Sequence, residues 1–333
     1  MSVALPARRT ALIVVLAAAL IAAPLVLDDF VLSVMGSVFL SATVGIAWNL
    51  MMGYTGLLSL GHALYFGVGA YAQAILVERY GISPWLALTA AAALPAALGI
   101  AAGALSFRFS VGGVYFALLT IAFAEIARIG FEHWPYVGDT AGIFLSALSP
   151  ANVPLRSLRG GAGFFYYALL IFMALSFGLS VLLVRTRTGY LWRAIREDED
   201  VSRAMGVKTL RYKLLAVAIS AGMTGVAGAW FALINGSLFP ESVLGMRISI
   251  DLIVAPIVGG LGTLLGPIVG AILIVPLGEL TRSATQSFNL SGLNLLCYGL
   301  ALMAIVTVAP QGCWPAIARW LRLDDLSNLG GKP

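Results

Sequence analysis

The chain has 333 residues, 60% hydrophobic and only 11% charged, with a formal net charge of +5. A soluble domain carries roughly a quarter charged residues, so a soluble enzyme or binding module is excluded. Apolar runs of about 20 residues recur along the length, each able to cross a ~30 Å hydrocarbon core as a helix. These features describe an all-α, polytopic helical membrane protein in a lipid bilayer. Its basic excess reads as a topology signal and not as a nucleic-acid surface.

The first run, Ala11 to Leu27, follows Arg8 and Arg9. It is read as a retained helix, although a basic flank and small residues near Ala22 and Ala23 also suit a signal peptide. Further runs cover about 30–51, 57–77, 84–107, 111–131, 164–184, 214–235, 249–262, 263–283 and 291–309. That gives about ten transmembrane or partly spanning helices, 249–262 and 263–283 being too short or too Gly-interrupted for ordinary independent spans. Basic residues favour the cytoplasmic side, so Arg8 and Arg9 hold the N-terminus inside. Arg108, the loop 185–213, Arg319 and Arg322 then also fall inside, and the loops 78–83, 132–163 and 236–248 face out. Both termini are expected in the cytoplasm. Cys297 and Cys313 form no CxxC pair and read as free thiols.

The stretch GYTGLLSLGHALYFGVGAY is unusual at membrane depth, because Asn49, Gly53, Gly56, Ser59, Gly61 and His62 make it polar and flexible. Irregular backbone is tolerated there only if it is buried in protein or lines a water-filled path. VGGLGTLLGPIVGA (258–271), with Gly259, Gly260 and Gly262, has the same character in the second half. Paired interrupted segments point to a translocation path, and close packing through small residues is the alternative. Glu125 and Arg128, three residues apart near the end of a span, share a helix face. They read as a self-neutralising pair, with Arg128 reaching the interface. Asp251 stays unassigned.

The charges concentrate in RTRTGYLWRAIREDEDVSRAMGVKTLRYK, residues 185 to 213. From Leu191, apolar residues at offsets of 3, 4, 10, 13 and 14 fall mostly on one helical stripe, and Gly206 is a natural stop. The expectation is one short cytoplasmic amphipathic helix with an apolar edge and charged flanks, suited to docking on another protein. A helix lying on lipid is the alternative, but the acidic run Glu197–Asp200 would be repelled by anionic headgroups.

This loop and the helix after it, TGYLWRAIREDEDVSRAMGVKTLRYKLLAVAISAGMTGVAGAW, resemble the bacterial branched-chain amino acid ABC transporter permeases of the LivM type. The family pattern, close to GRAxxAIREDExxAxxxGxxxxxxKLxAFxxSAxxAGxAGA, is matched at Ala194, Ile195, Arg196, Glu197, Asp198, Glu199, Ala204, Gly206, Lys213, Leu214, Ser220, Ala221, Gly225 and Gly228. NLMMGYTGLLSLGHALYFGVGAYAQAIL (49–76), GVYFALLTIAFAEIAR (113–128) and VGGLGTLLGPIVGAIL (258–273) agree as well, in order along nearly the whole chain. The chain departs in having GDTAGI (138–143) for a TGG-like turn and Trp192 inserted before the AIRED run.

The resemblance implies a type II-like ABC importer permease, one transmembrane domain over 1–333, in the bacterial inner membrane. Segment 185–213 would be its coupling loop, with Leu191, Ala194, Ile195, Arg196, Glu197, Asp198, Glu199, Ala204, Met205 and Gly206 seated on an ATPase subunit. Two cytosolic ATPase subunits would bind the ATP, a second permease copy or relative would pair with the chain, and a periplasmic binding protein would deliver solute. Read from its own residues, the chain has no GxxxxGK[ST] loop, since the only Gly-Lys precedes Pro333. Leu57 spoils a GxSxG around Ser59, and no HExxH or other metal spacing occurs, so catalytic and metal sites are expected to be none. A secondary transporter or channel without an ATPase partner is the other reading. It would call for mid-bilayer ionisable residues, which are few here.

Overall fold

The computed structural model describes residue 15 and residues 18–109, 111–145, 160–286 and 293–320. Arg8, Arg9, Arg322, most of the first half of Ala11–Leu27, residues 146–159 of the expected outward loop and the side chain of Cys297 lie outside the described residues.

Every expected run beyond the first has its helix: α1 (Asp29–Thr55), α2 (His62–Glu78), α3 (Pro84–Arg108), α4 (Gly113–Glu132) and α5 (Ala162–Arg185). The charged segment forms α6 (Arg187–Glu197) and α7 (Glu199–Ala204), followed by α8 (Thr209–Asn235), α9 (Pro240–Leu244), α10 (Met246–Gly259), α11 (Gly266–Gln286), α12 (Leu293–Val308) and α13 (Cys313–Trp320). Among the described residues, α1, α3, α4, α5, α8 and the stretch Pro240–Gly259 are long and apolar enough to cross a membrane. The protein is a multi-pass membrane protein.

Burial sorts the helices. α1 and α8 run through the middle, where α8 packs along α3 and α2 while α1 packs along α5 and α11. Their polar residues Thr43, Asn49, Ser220 and Thr224 are buried. Leu94, Leu98 and Leu105 on α3, Val114, Leu118 and Ile126 on α4, and Leu175 and Leu182 on α5 are exposed. A helix apolar all round with such side chains outward suits lipid contact.

Two breaks interrupt the membrane-spanning order. α1 stops where Gly56 turns left-handed (φ 74°), its amide bonded to the Met51 and Met52 carbonyls, and α2 does not resume until His62. Left-handed backbone favours glycine, which is why a continuous run in the sequence yields a helix starting five residues late. The second break lies between Gly259 and Gly266, joining α10 to α11.

At the end where α1 begins, β1 (Ile143–Phe144) and β2 (Ser237–Leu238) pair antiparallel, with Ile143 opposite Leu238. Arg128 joins more partners than the expected pair. Its guanidinium bonds Glu125 and Glu132 on α4 and reaches Glu241 on α9 at 3.1 Å, so it ties two helices together.

Close helix packing carries a direct test. A Cβ on Gly69 of α2 would run into the backbone of Gly225 on α8, whereas Gly178 on α5 is open to the surroundings. Gly69→Leu is expected to abolish a monodisperse peak in fluorescence-detected size exclusion. Gly178→Leu is expected to leave the peak and the melting temperature unchanged.

Candidate functional site

The charged segment folds against the bundle as two helices and not as one. Asp198 is extended (φ −156°) and ends α6, and its Oδ1 accepts the Asp200 and Val201 amides at 2.9 Å to cap α7. Acidic residues are unfavourable at a helix C-terminus and favourable in a first turn. Breaking the run at Asp198 moves Glu199 and Asp200 from the wrong end of one helix to the right end of the next. The expected single stripe from Leu191 to Gly206 is therefore corrected: it is divided between two helices that face differently.

Its apolar residues part company accordingly. Trp192 (0% exposed) and Ile195 (5%) point into the bundle, and the Trp192 indole donates to the Tyr212 carbonyl at 2.9 Å. Val201 (55%) and Met205 (81%) point outward, and Ala194, Arg196, Glu197, Asp198, Ala204 and Gly206 are exposed. Leu191 is half-buried and lines, with Met205, Arg187, Lys208, Arg211 and Tyr212, a groove of about 420 Å³ between α6 and the start of α8. α7 is pinned through Glu199, which accepts from Lys213 Nζ at 2.9 Å; that ammonium also sits over the Phe107 ring at 4.2 Å. Burial alone would raise the Glu199 carboxyl, but Lys213, Thr209 and Arg203 together hold it below the ordinary carboxylate value.

The segment is connected to both breaks. Arg196 Nη1 donates to the Gly53 carbonyl on the last turns of α1. One α-helical turn earlier, the Asn49 amide donates to the Thr263 carbonyl at 2.8 Å and accepts the Gly262 amide at 2.8 Å. Gly53 must be glycine for this contact, since a Cβ there would meet the Gly262 amide nitrogen at 2.7 Å and Asn49 Oδ1 more closely still. The two Gly-rich stretches singled out in the sequence thus meet in space. Thr263 Oγ1 then donates to the Gly260 carbonyl at 2.8 Å and accepts the Gly266 amide, which satisfies the turn between α10 and α11.

The other break is satisfied in the same manner. The Trp48 indole donates to the Ser59 carbonyl at 2.8 Å, the Leu60 amide to Thr120 Oγ1 and the Ala63 amide to Ser249 Oγ at 3.0 Å. His62 is fully buried between Ser59 Oγ and Ser220 Oγ, each 3.0 Å from a ring nitrogen. Both ring nitrogens are occupied by hydroxyls and neither by a carboxylate, so the ring has no acidic partner to orient it as a base. The glycines pack tightly as well. A Cβ at Gly61 or Gly259 would overlap the backbone of Thr120 or Gly266.

A family model described as branched-chain amino acid transport system, permease component, matches residues 30–309. The chain belongs to this permease family. It is 30% identical to the high-affinity branched-chain amino acid transport system permease protein LivM of Escherichia coli (strain K12) over 309 residues, 86% of this chain and 70% of that protein. It is 26% identical to the probable branched-chain amino acid transport permease protein LivH of Methanocaldococcus jannaschii, covering 77% and 84% of the two chains. With BraD of Pseudomonas aeruginosa the identity is 24% over 80% and 88%. No solved structure matches the chain.

Sequence reasoning missed three elements of this permease's site. The Arg196–Gly53 bond and the partnership of Ser220 with His62 span 143 and 158 residues of chain, and no local pattern signals either. The third is the inward orientation of Ile195, hidden by the break at Asp198, whose capping of the next helix the run of acids could have signalled.

Two outcomes follow. Trp192→Ala should destabilise the permease by about 3–5 kcal/mol, as truncation of a fully buried Trp does, read from unfolding in nanodiscs. Glu199 has a depressed folded-state pKa, so its ion pair contributes fully above the ordinary carboxylate value and is lost as pH falls through the lowered one. A nitroxide on Val201→Cys should report an immobile α7 at neutral pH and rising mobility well below pH ~4.

Proposed function

We propose that the chain is the membrane-spanning permease subunit of an ABC importer for branched-chain amino acids or related small polar solutes. It would work in the bacterial inner membrane with both termini cytoplasmic, as a single domain. Two separate cytosolic ATPase subunits would bind and hydrolyse ATP, a second permease would complete the pathway, and a periplasmic protein would deliver the solute. Membership of the permease family supports the transport role, and relatives named as permease proteins of high-affinity transport systems support the division of labour.

The observation that carries the coupling assignment is the two-faced segment 187–206. One face is locked onto the bundle through Trp192, Ile195 and the Glu199–Lys213 pair, while Val201, Met205 and the charged residues around them stay exposed. A surface that is rigidly backed and apolar at its tip is what a force-transmitting contact requires. Leu191, Ala194, Arg196, Glu197, Asp198, Glu199, Ala204, Met205 and Gly206 form this contact, with Ile195 as its anchor from beneath. Arg196 extends it inward: a push on α6 reaches Gly53, and through Asn49 the Gly262–Thr263 turn, so that both breaks move together. The Gly-rich breaks act as hinges for alternating access.

The test separates docking from transmission. Val201→Asp with Met205→Asp should abolish capture of an ATP-hydrolysing subunit from the cytosol of the source cell, with the bundle still folded. Asn49→Ala, buried in the relay and outside the docking contact, should retain capture and ATP hydrolysis yet lower solute uptake at least tenfold. Undiminished uptake by the Asn49 variant would remove the relay, and unchanged capture by the Asp variants would remove the docking surface.

A further inference from the structure

At the end of the bundle opposite α6 and α7 lies a cavity of about 800 Å³, within the roughly 300–1,000 Å³ usual for ligand sites. Its walls come from the first half of α1, the start of α5, the end of α8, the first turns of α10, the second half of α11 and Tyr298 of α12. Three features of the lining stand out. Ser33, Ser37 and Ser41 recur every fourth residue, giving α1 a hydroxyl face. Arg247 and Asp251 on α10, and Glu279 and Arg282 on α11, bring one charge of each sign from each of two helices. Deeper walls are aliphatic and aromatic, including Leu252, Ile274, Leu169 and Phe231.

The charges cancel in number, so the cavity as a whole attracts neither a simple anion nor a simple cation. It suits a small molecule carrying both. Arg247 and Asp251 approach only to 4.0 Å, and both are substantially exposed. Such a pair contributes little to stability, so a ligand can insert between its members at small cost. The floor is shut: one turn beyond Ser41, Gly45 lies where a Cβ would be 3.2 Å from Pro256 on α10 and from Pro267 on α11. Val38, Ala42, Ala255 and Ala271 close the same level. The cavity is a vestibule closed at the Gly45 level.

We propose that this vestibule is the first solute site of the permease and that it takes a small zwitterion with an aliphatic side chain. Arg247 and Arg282 receive the carboxylate, Asp251 and Glu279 receive the ammonium, and the apolar wall receives the side chain. The inference rests on the permease reading above and adds to it a location and residues. Ionisable groups facing a cavity within a membrane bundle carry such roles by default, and the hydroxyl ladder of α1, whose Ser33 and Ser37 donate to their own helix, offers further acceptors along the descent.

The experiment uses the full chain assembled with its second permease and ATPase subunits in proteoliposomes supplied with the solute-delivering periplasmic protein, its two cysteines replaced by alanine and Ser37 by cysteine. Alkylation of Cys at that position is followed with L-leucine, with 3-methylbutylamine and with 4-methylpentanoate, the last two each lacking one charge of the zwitterion. Protection by L-leucine alone is expected, and Asp251→Asn with Glu279→Gln should raise the half-protecting concentration at least tenfold. The same double variant should raise KM for L-leucine uptake with little change in kcat. If the assembly imports L-leucine but protection is absent, equal for all three probes or indifferent to the double variant, the vestibule assignment falls and the permease reading stands. If no amino acid is imported by an assembly that hydrolyses ATP, both fall. Protection by added phospholipid but not by L-leucine would make the cavity a lipid crevice and overturn the proposal.

Discussion

A backbone amide or carbonyl left unpaired in hydrocarbon costs several kcal/mol, of order the stability of a whole helix contact. That constraint governs how this bundle is built, because two of its central segments leave the helix within the membrane domain. Residues 56–61 and 260–265 carry about two dozen backbone N–H and C=O groups that helices would otherwise satisfy internally. Asn49, Thr120, Trp48 and Thr263 supply partners to them, and Ser249 to the Ala63 amide at the start of α2. Trp48 and Asn49 of α1, Thr120 of α4 and Ser249 of α10 are the buried polar side chains that bond this irregular backbone or the turn that follows it. Once this is seen, His62 is another member of the same polar layer, bonded on both sides and remote from water.

The helices were legible from the sequence because the bilayer simplifies the problem. An apolar run of the right length has one stable solution in lipid, and the runs from 30–51 to 291–309 each found a helix. Boundaries failed where a single residue overrode the run. Gly56 ended α1 through a left-handed turn that hydropathy does not register, and Asp198 split the charged segment through a local cap. Glycine content showed that something close or irregular was present in 49–69 and 258–271. It did not show that the two stretches touch, because the pairing of Gly53 with Gly262 depends on how α1 and α10 lie together.

The candidate site was legible in location and less so in orientation. Charge density found 185–213, but a helical wheel drawn through Asp198 put Ile195 and Met205 on one side, and they face opposite ways. The difference has a physical origin. Trp192 lies beside Tyr54, Tyr212 and Val184 at the end of the bundle, Ile195 is buried on the same helix, and burying them outweighs presenting a longer apolar edge to a partner. The Arg128 cluster shows the same limit. Its i,i+3 partner Glu125 was read from spacing, whereas Glu132 was not expected and Glu241, 113 residues away, carries no local signal.

α1 connects the two functional proposals. It is a 27-residue helix with Ser33, Ser37 and Ser41 on the vestibule wall and Asn49 and Gly53 beside the Gly262 turn and Arg196. A helix of that length spans about 40 Å at 1.5 Å per residue and behaves as a rod over it. Displacing its Gly53 end by a given angle must displace its Ser33 end in the opposite sense about whatever pivot lies between. Between those ends α1 passes close to α10 and α11 at Gly45, where a Cβ would come within 3.2 Å of Pro256 and Pro267. A rod held at that level and pushed through Arg196 would carry Asn49 and Gly53 away from the Gly262 turn while narrowing the vestibule at the other end. The tilt of one central helix would then couple the vestibule to the Gly262 turn, with the close approach at Gly45 staying in place as its fulcrum.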